Sequence, residues 1–309
     1  MASTHVTEHI HRSAPSSHLD ANLSSEAFRC LNCRSNRSRV LYADCPDYYL
    51  GNPFLVDYVA CEDCGLVQQF PVPQDVTPFY DEYPLHEARS ELLDRARRLL
   101  MRPVYHDTSA DVAGSAILDY GCGDGAYLRS LEGKGFELLG FELEAHHAEN
   151  LSNRLDIPIY SNVDSLICDH GSRIDVLTMH FVLEHVTDLD ATFAHISLLL
   201  KPGGKCHIVV PNASSWECRL FGKKWHGLDA PRHISFPDRA VVDTLARRHG
   251  MRLSETRSVA FPNGVAGSIP VCILGRFSYR LFLICAPLGL LLSRLAPSGS
   301  TAFWLVRGP

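Results

Sequence analysis

One stretch indicates the fold of this 309-residue chain more clearly than any other: Ile117-Leu118-Asp119-Tyr120-Gly121-Cys122-Gly123-Asp124-Gly125. Its apolar start predicts a short strand over 116–119, and the residues after it predict a helix over 126–132. Glycines between the two allow a tight turn and let a ligand approach the backbone closely. The helix that follows directs its N-terminus at the same place. We therefore expect a binding loop at this strand-to-helix junction.

The chain around this loop alternates between strands and helices. Further strands are predicted over 137–141, 157–160, 174–179 and 206–210, and further helices over 90–101, 145–155 and 189–200. After them come a helix over 238–249, a strand over 251–261, helical pieces over 269–295 and a last strand over 301–306. This alternation is typical of an α/β protein whose parallel sheet is covered on both faces.

Two acidic residues indicate which ligand the loop holds. Asp119 precedes the G-x-G-x-G spacing, and with Asp124 it would repel an anion at short range. A ligand with an ammonium group, such as the amino-acid end of S-adenosylmethionine, fits better. Glu142 ends the next strand, 21 residues after Gly121, where an acid accepts the ribose hydroxyls of an adenosine.

Four segments carry a resemblance to a known family: LDYGCGDGAYL (118–128), GFELE (140–144), IDVLTMHFVLEHV (174–186) and LLLKPGGKCHIVVPN (198–212). With them the chain resembles the class I S-adenosylmethionine-dependent methyltransferases over residues 90–309. The resemblance implies a Rossmann-like fold with a seven-stranded sheet and an antiparallel last strand. It also implies cofactor contacts from Asp119, Gly121, Cys122 and Gly123 at the methionine end, Glu142 at the ribose, Asn162, Val163 and Asp164 near the adenine, and His180 and Phe181 facing cofactor and substrate.

Three histidines are candidates for the base that deprotonates a methyl acceptor. His185 follows the fourth strand, and His226 and His233 lie in the loop after the fifth strand. Histidine suits this role because its pKa lies near neutrality. For His185 a capping or packing role is an equally open interpretation. Tyr80 and Tyr83 either cover the cofactor or are exposed loop residues.

Two C-x-x-C pairs precede the glycine loop. Cys30 and Cys33 are separated by 27 residues from Cys61 and Cys64, and Gly65 follows the second pair. Four thiolates at such spacing suit a closed tetrahedral Zn²⁺ site, so we expect structural zinc. The alternative is that these are unrelated reduced cysteines.

These features predict three regions: a disordered tail over 1–26, a small zinc-ribbon-like module with its connector over 27–84, and the methyltransferase domain over 85–309. Lysine and arginine total 29 against 35 acidic residues, a net charge of −6, which disfavours nucleic acid as a partner. Residues 1–20 contain no apolar segment typical of a signal peptide, so we expect reduced thiols and a cytoplasmic protein.

A strongly apolar run covers residues 281–293, between Arg280 and Arg294. It is shorter than the roughly 20 residues that a membrane span needs. It therefore indicates either buried core or pocket wall, or else contact with a membrane surface or a hydrophobic substrate. Residues 269–295 are also a candidate homodimer face.

The function predicted from the sequence is methyl transfer to the O, N or C atom of a small molecule or biosynthetic intermediate. A Cys₄ module before a class I domain resembles the sugar C-methyltransferases of natural-product biosynthesis, which carry a further large C-terminal domain that this sequence does not contain. Two alternatives are a zinc-finger RNA methyltransferase and a non-catalytic zinc-ribbon protein with a degenerate methyltransferase domain. A basic surface would favour the first, and failure to bind the cofactor would favour the second.

Overall fold

The computed structural model describes residues 27–80, 101–108, 111–296 and 298–309. Three predictions lie outside these residues: the disordered tail, the position of Tyr83, and all but the last residue of the helix predicted over 90–101.

The described secondary structure is named in chain order. The strands are β1 Ser38–Pro46, β2 Leu55–Cys61, β3 Val67–Phe70, β4 Ala116–Tyr120, β5 Glu137–Phe141, β6 Ile159–Tyr160, β7 Ile174–His180, β8 Leu200–Pro211, β9 Ser235–Phe236, β10 Met251–Ser258 and β11 Ser300–Arg307. The α-helices are α1 Ala126–Leu131, α2 Ala145–Leu155, α3 Val163–His170, α4 Leu189–Leu199, α5 Trp216–Phe221, α6 Arg239–Arg248, α7 Asn263–Leu274 and α8 Tyr279–Leu295.

The larger sheet has seven strands in the order β10-β11-β8-β7-β4-β5-β6. Neighbouring strands from β8 to β6 pair in parallel, and β11 runs antiparallel to both β8 and β10. All five residues of β4 are buried, as expected for a strand covered on both faces. The Rossmann-like methyltransferase fold with its antiparallel last strand is therefore confirmed.

The smaller sheet has the order β1-β2-β3-β9, and its strands pair antiparallel. Its first three strands come from the N-terminal region, whereas β9 lies in the loop between β8 and α6. Val67 pairs with Phe236 and Gln68 pairs with Ser235. The segment 212–238 between β8 and α6 thus supplies the last strand of the N-terminal sheet.

Helices α7 and α8 form a hairpin between β10 and β11. Gly289 of α8 packs against the backbone of Pro262 and against Ala266, so the two helices approach closely. α7 buries Val265 and Val271, whereas most leucines of α8 are partly or fully exposed. No helix in the described part of the chain is long and apolar enough to cross a bilayer.

Candidate cofactor and substrate site

The glycine loop after β4 is fastened to the end of β5. The amides of Gly121 and Cys122 donate to the carbonyl of Phe141 at 2.8 and 3.0 Å. The amide of Gly123 donates to Glu142 Oε2 at 2.9 Å. The structure therefore brings together the loop and the acid that the sequence singled out, at the carboxyl edge of the sheet where ligands bind in open α/β folds.

Positive φ angles shape this loop. Gly121, Gly123 and Gly125 have φ values of +80°, +52° and +73°, a region that favours glycine. A Cβ on Gly121 would lie 2.5 Å from Val182, whereas a Cβ on Gly123 would meet no atom within 4 Å. The loop is thus packed on one side and open on the other. The side chain of Cys122 is buried in a cluster with Leu128 and Leu151, so only its backbone borders the open side.

Asp119 and His180 lie beneath the loop, among buried rings. Asp119 Oδ1 accepts a hydrogen bond from the Thr178 hydroxyl at 2.8 Å and lies 3.5 Å from His180 Nδ1. Neither ring nitrogen of His180 has a hydrogen-bond partner among the described residues. The ring of Tyr127 meets that of His180 edge-on, with centroids 4.8 Å apart.

Phe181 follows β7 with a φ of +58°, which is rare for a residue with a bulky side chain. Its ring stacks on Phe261 at 5.5 Å. Left-handed backbone of this kind costs on the order of 1–3 kcal/mol and clusters at functional sites. The position of Phe181 after the fourth strand predicted a site residue, but the residue type does not predict this backbone conformation.

The predicted adenine-side residues begin helix α3. Asn162 is the N-cap, and its side chain accepts a hydrogen bond from the Ser165 amide at 2.9 Å. Val163 and Asp164 form the first turn. Residues 162–164 thus lie after β6, two strands along the sheet from β4.

Two of the three candidate histidines form a pair. The rings of His185 and His233 meet edge-to-face, with centroids 4.7 Å apart. His185 Nδ1 lies 3.0 Å from the carbonyl of Arg232 and 2.8 Å from the Tyr80 hydroxyl, and His233 Nδ1 lies 2.9 Å from the carbonyl of Gly227. If each Nδ1 donates to its carbonyl, each Nε2 carries the lone pair.

Burial keeps these rings neutral. It lowers the pKa of His185 below its ordinary value and lowers that of His233 to about 3. A neutral imidazole at neutral pH is the form that accepts a proton, so burial preserves basic sites here while weakening their proton affinity.

Two carboxylates near the pair differ in charge state. Glu184 is fully buried, with one oxygen 3.9 Å from His233 Nε2, and burial raises its pKa well above the usual range. Burial would also raise the pKa of Asp229, but the charge and hydrogen bonds of Arg232 lower it to about 2. Burial thus favours the neutral form of Glu184, whereas Arg232 favours the ionised form of Asp229, a separation typical of functional sites. Neither acid was predicted from the sequence.

Arg232 joins the loop to the N-terminal region. Its guanidinium donates to both oxygens of Asp47 at 2.8 and 2.9 Å and also binds Asp229 at 2.8 Å. Arg232 and Asp47 are separated by 185 positions, so no local pattern could have paired them.

The third candidate, His226, lies apart from the histidine pair. Its ring stacks on Phe277 at 5.1 Å and packs against Gly267, while its amide donates to Ser268 Oγ at 2.8 Å. It links the loop to the α7–α8 hairpin.

The four N-terminal cysteines converge. Cys30 Sγ lies 3.5 Å from Cys64 Sγ, Cys33 Sγ lies 3.6 Å from Cys61 Sγ, and all four sulfur atoms lie within 4.8 Å of one another. Each C-x-x-C turn is followed by a residue of positive φ, Arg34 at +63° and Gly65 at +77°. Glycine signalled the second turn, but the arginine gave no such signal in the first.

Comparison with known proteins shows that the chain is similar to methyltransferases. The family described as "Methyltransferase domain" matches residues 86–256. The ubiquinone biosynthesis O-methyltransferase of Thiobacillus denitrificans is 27% identical over 168 residues, which cover 50% of this chain and 72% of that protein. The enzyme of the same name from Psychrobacter cryohalolentis is 36% identical over 104 residues, and the chain spans only 40% of its length. Among solved structures, a SAM dependent methyltransferase from Archaeoglobus fulgidus aligns with 75% of this chain and 99% of its own, at 13% identity and a TM-score of 0.45.

Proposed function

The chain belongs to the class I S-adenosylmethionine-dependent methyltransferases, and from that premise we propose that it methylates a small-molecule acceptor with assistance from a histidine. One observation carries the proposal: the Gly123 amide binds Glu142 at 2.9 Å and so joins the open loop to the acid at the end of β5. A loop and an acid in this arrangement fit the amino-acid end and the ribose of an adenosine-containing cofactor.

Residues of the loop and of two neighbouring strand ends would hold the cofactor. The open side of Gly123 leaves room for its amino-acid end, Glu142 would accept from the ribose, and residues 162–164 would lie near the adenine. When bound, S-adenosylmethionine supplies an electrophilic methyl group on a sulfonium sulfur. The chain's own contribution is to hold the acceptor in line with that group.

Either His185 or His233 would accept the acceptor proton at its Nε2. Their Nδ1 contacts fix the ring orientations, and their lowered pKa values keep both rings neutral near pH 7. General-base assistance contributes roughly 10²–10⁴-fold. Because the curated relatives above are O-methyltransferases, a hydroxyl is the first acceptor group to test.

Calorimetric titration with S-adenosylhomocysteine tests the cofactor site. We expect binding by the unmodified protein and at least tenfold weaker binding by Glu142→Ala, about 1.4 kcal/mol. Glu137→Ala, an exposed glutamate at the start of the same strand, is the matched control and should bind normally. No binding by the folded, unmodified protein would instead support a non-catalytic binding module.

Turnover with a catechol probe, followed through release of S-adenosylhomocysteine, tests the histidines. We expect His185→Ala or His233→Ala to reduce kcat at least 100-fold. Full turnover by both variants would exclude both residues as the base.

We further propose that Cys30, Cys33, Cys61 and Cys64 hold a structural zinc ion. Tetrahedral Zn²⁺ with bonds of about 2.3 Å places its sulfur ligands about 3.8 Å apart. The sulfur separations of 3.5 and 3.6 Å are close to that value. Four thiolates leave no open coordination position, so the metal would stabilise the fold and take no part in the reaction. Elemental analysis should give one zinc per chain, lost in Cys61→Ser.

A further inference from the structure

The outer face of helix α8 is apolar and has no covering element among the described residues. Ile284, Leu288, Leu291 and Leu295 recur at helical spacing and are 74%, 48%, 56% and 74% exposed. Residues at this spacing share one side of a helix. Ile273 and Leu274 at the end of α7 extend the apolar surface and are also more than half exposed. An exposed apolar patch of this kind marks an interaction surface.

The charged residues of the hairpin itself all have one sign. Residues 263–296 contain Arg276, Arg280 and Arg294 and no lysine or acidic residue, although the whole chain has a net charge of −6. All three arginines are exposed. Positive charge is thus concentrated on the hairpin that also exposes the apolar side chains.

From this combination we propose that the α7–α8 hairpin docks on the surface of an anionic phospholipid bilayer. An interfacial helix buries its apolar side chains at the boundary between headgroups and acyl chains, and its arginines bind the lipid phosphates. With 17 residues, α8 would lie along this boundary. A helix of that length extends about 26 Å.

The arginines distinguish this occupant from a second copy of the chain. In a two-fold symmetric dimer the same face meets itself, so two antiparallel copies of α8 would set Arg280 of one chain near Arg294 of the other. Like charges at an interface oppose such pairing. An anionic bilayer instead complements the same three charges.

The hairpin packs against the segment 212–238 between β8 and α6. Phe277 stacks on both Tyr49 and His226, at 4.9 and 5.1 Å, and Ser268 accepts from the His226 amide. A docked hairpin would therefore hold the loop that carries His233 at a fixed orientation to the bilayer.

Sedimentation with vesicles tests the proposal on the full chain, independently of cofactor binding. We expect the protein to sediment with vesicles of 70% phosphatidylcholine and 30% phosphatidylglycerol. Binding to pure phosphatidylcholine, or in 0.5 M salt, should be at least tenfold weaker, because a zwitterionic bilayer has no net negative charge and salt screens the charge of an anionic one.

Two variants probe the face itself. Ile284→Glu combined with Leu288→Glu should reduce vesicle binding at least tenfold, whereas Val112→Glu, at a 75% exposed site elsewhere, should retain it. Replacing the three arginines with glutamine should weaken binding to anionic vesicles roughly 100-fold, because each charge contributes about fivefold. This second variant keeps the test valid if the first fails to fold by circular dichroism.

The proposal is overturned if the unmodified protein does not bind anionic vesicles, or if both hairpin variants bind as it does. A second outcome also overturns it: the unmodified protein binds no vesicles and is a dimer by sedimentation velocity, and Ile284→Glu with Leu288→Glu makes it a monomer. The hairpin would then be a dimer interface. Binding of S-adenosylhomocysteine, measured separately, decides the proposed function and leaves the membrane result unaffected.

Discussion

Gly121 and Gly123 lie two residues apart in the same loop and meet different surroundings. Both have positive φ, but only Gly121 faces a packed side chain, Val182, which precedes the turn that holds Glu184 and His185. Gly121 therefore joins two parts of the site, whereas Gly123 borders the space proposed for the cofactor.

Alanine at each position should separate these two roles. Gly121→Ala adds a clash with Val182 to the backbone strain, so we expect it to lower the free energy of unfolding by about 2–4 kcal/mol. Gly123→Ala adds only the backbone strain of a positive φ, so it should lower the free energy of unfolding by about 1–2 kcal/mol. Urea unfolding measures both. Equal losses in stability would show that the Val182 contact has no energetic weight.

Glu217 is a buried acid away from the histidine pair. It lies beside the indole of Trp225 and the backbone of Gly299. Burial raises its pKa to about 6, although the nearby Gly299 backbone and Trp225 indole favour the ionised form. Because its folded-state pKa exceeds the usual value of 4.5, the folded protein binds more protons than the unfolded chain between pH 4.5 and 6.

Stability should therefore fall as pH rises through this window. Below pH 4.5, protonated Glu217 adds about 1–2 kcal/mol to the free energy of unfolding, and this contribution is lost above pH 6. Glu217→Gln should remove this loss, so its stability relative to the unmodified protein should increase from pH 4.5 to 7. Urea unfolding at several pH values measures the difference. A difference that is constant with pH would contradict the assignment, and Glu137→Gln, at an exposed position, is the control.

At the residue scale, sequence reasoning succeeded where chemistry and spacing coincide. The glycines and Glu142 belong to one strand-turn-helix-strand unit, so their proximity follows from local order. Roles for Glu184 and Asp229 were not predicted, because the residue type alone does not determine whether a carboxyl group is neutral or ionised. Only burial and the Arg232 guanidinium distinguish the two.

At the scale of elements, the loop between β8 and α6 depends on a buried ion-pair network. Arg232 is enclosed by Asp47 from the segment after β1 and by Asp229 from its own loop. Each carboxylate accepts two hydrogen bonds from the Arg232 guanidinium, so the hydrogen-bonding groups of the network are well satisfied. Breaking such a pair leaves an uncompensated charge in the interior.

Asp47→Ala should accordingly lower the free energy of unfolding by about 3–5 kcal/mol. The matched control is Asp243→Ala, which breaks the Arg247–Asp243 pair on the surface of α6, where the arginine is 74% exposed. That change should cost less than about 1 kcal/mol. Chemical denaturation of both variants provides the comparison, and similar losses would mean that Arg232 finds other partners.

Secondary structure was predicted best where the sequence pattern is long and regular. The strand over 137–141 and the helix over 145–155 match β5 and α2. The short helices α3 and α5 were not predicted, whereas the equally short α1 was, because the glycine loop before α1 indicates where that helix begins. β8 begins at Leu200, earlier than predicted, because the Lys201–Gly204 segment continues the strand where a helix end with a loop was expected.

At the scale of the whole molecule, the two sheets share one loop. β9 lies in the same loop as His233, but it pairs with β3 of the N-terminal sheet. Gln69 of β3 and Tyr58 of β2 donate to the carbonyl of His233 at 3.1 and 2.8 Å. The four cysteines lie at the other end of these strands, with Cys61 ending β2. Sequence order alone could not reveal this pairing across about 165 residues.

Removal of the proposed zinc should therefore affect the histidine loop. We expect a chelator, or Cys61→Ser, to increase amide hydrogen exchange at Ser235 and Phe236 by at least tenfold, with little change in β4 and β7. Exchange followed by mass spectrometry measures this. Unchanged protection of β9 in zinc-free protein would show that the cysteine cluster does not support the loop.

The pairing of β3 with β9 also limits how such a protein can be rearranged in evolution. A recombination event that joined residues 27–80 to an unrelated enzyme would transfer a sheet without its fourth strand, and the remaining domain would keep β9 without its partner strand β3. Either product would present unpaired backbone amides and carbonyls to solvent or to other chains. The N-terminal module is consequently expected to be inherited together with the loop it supports, and not exchanged alone.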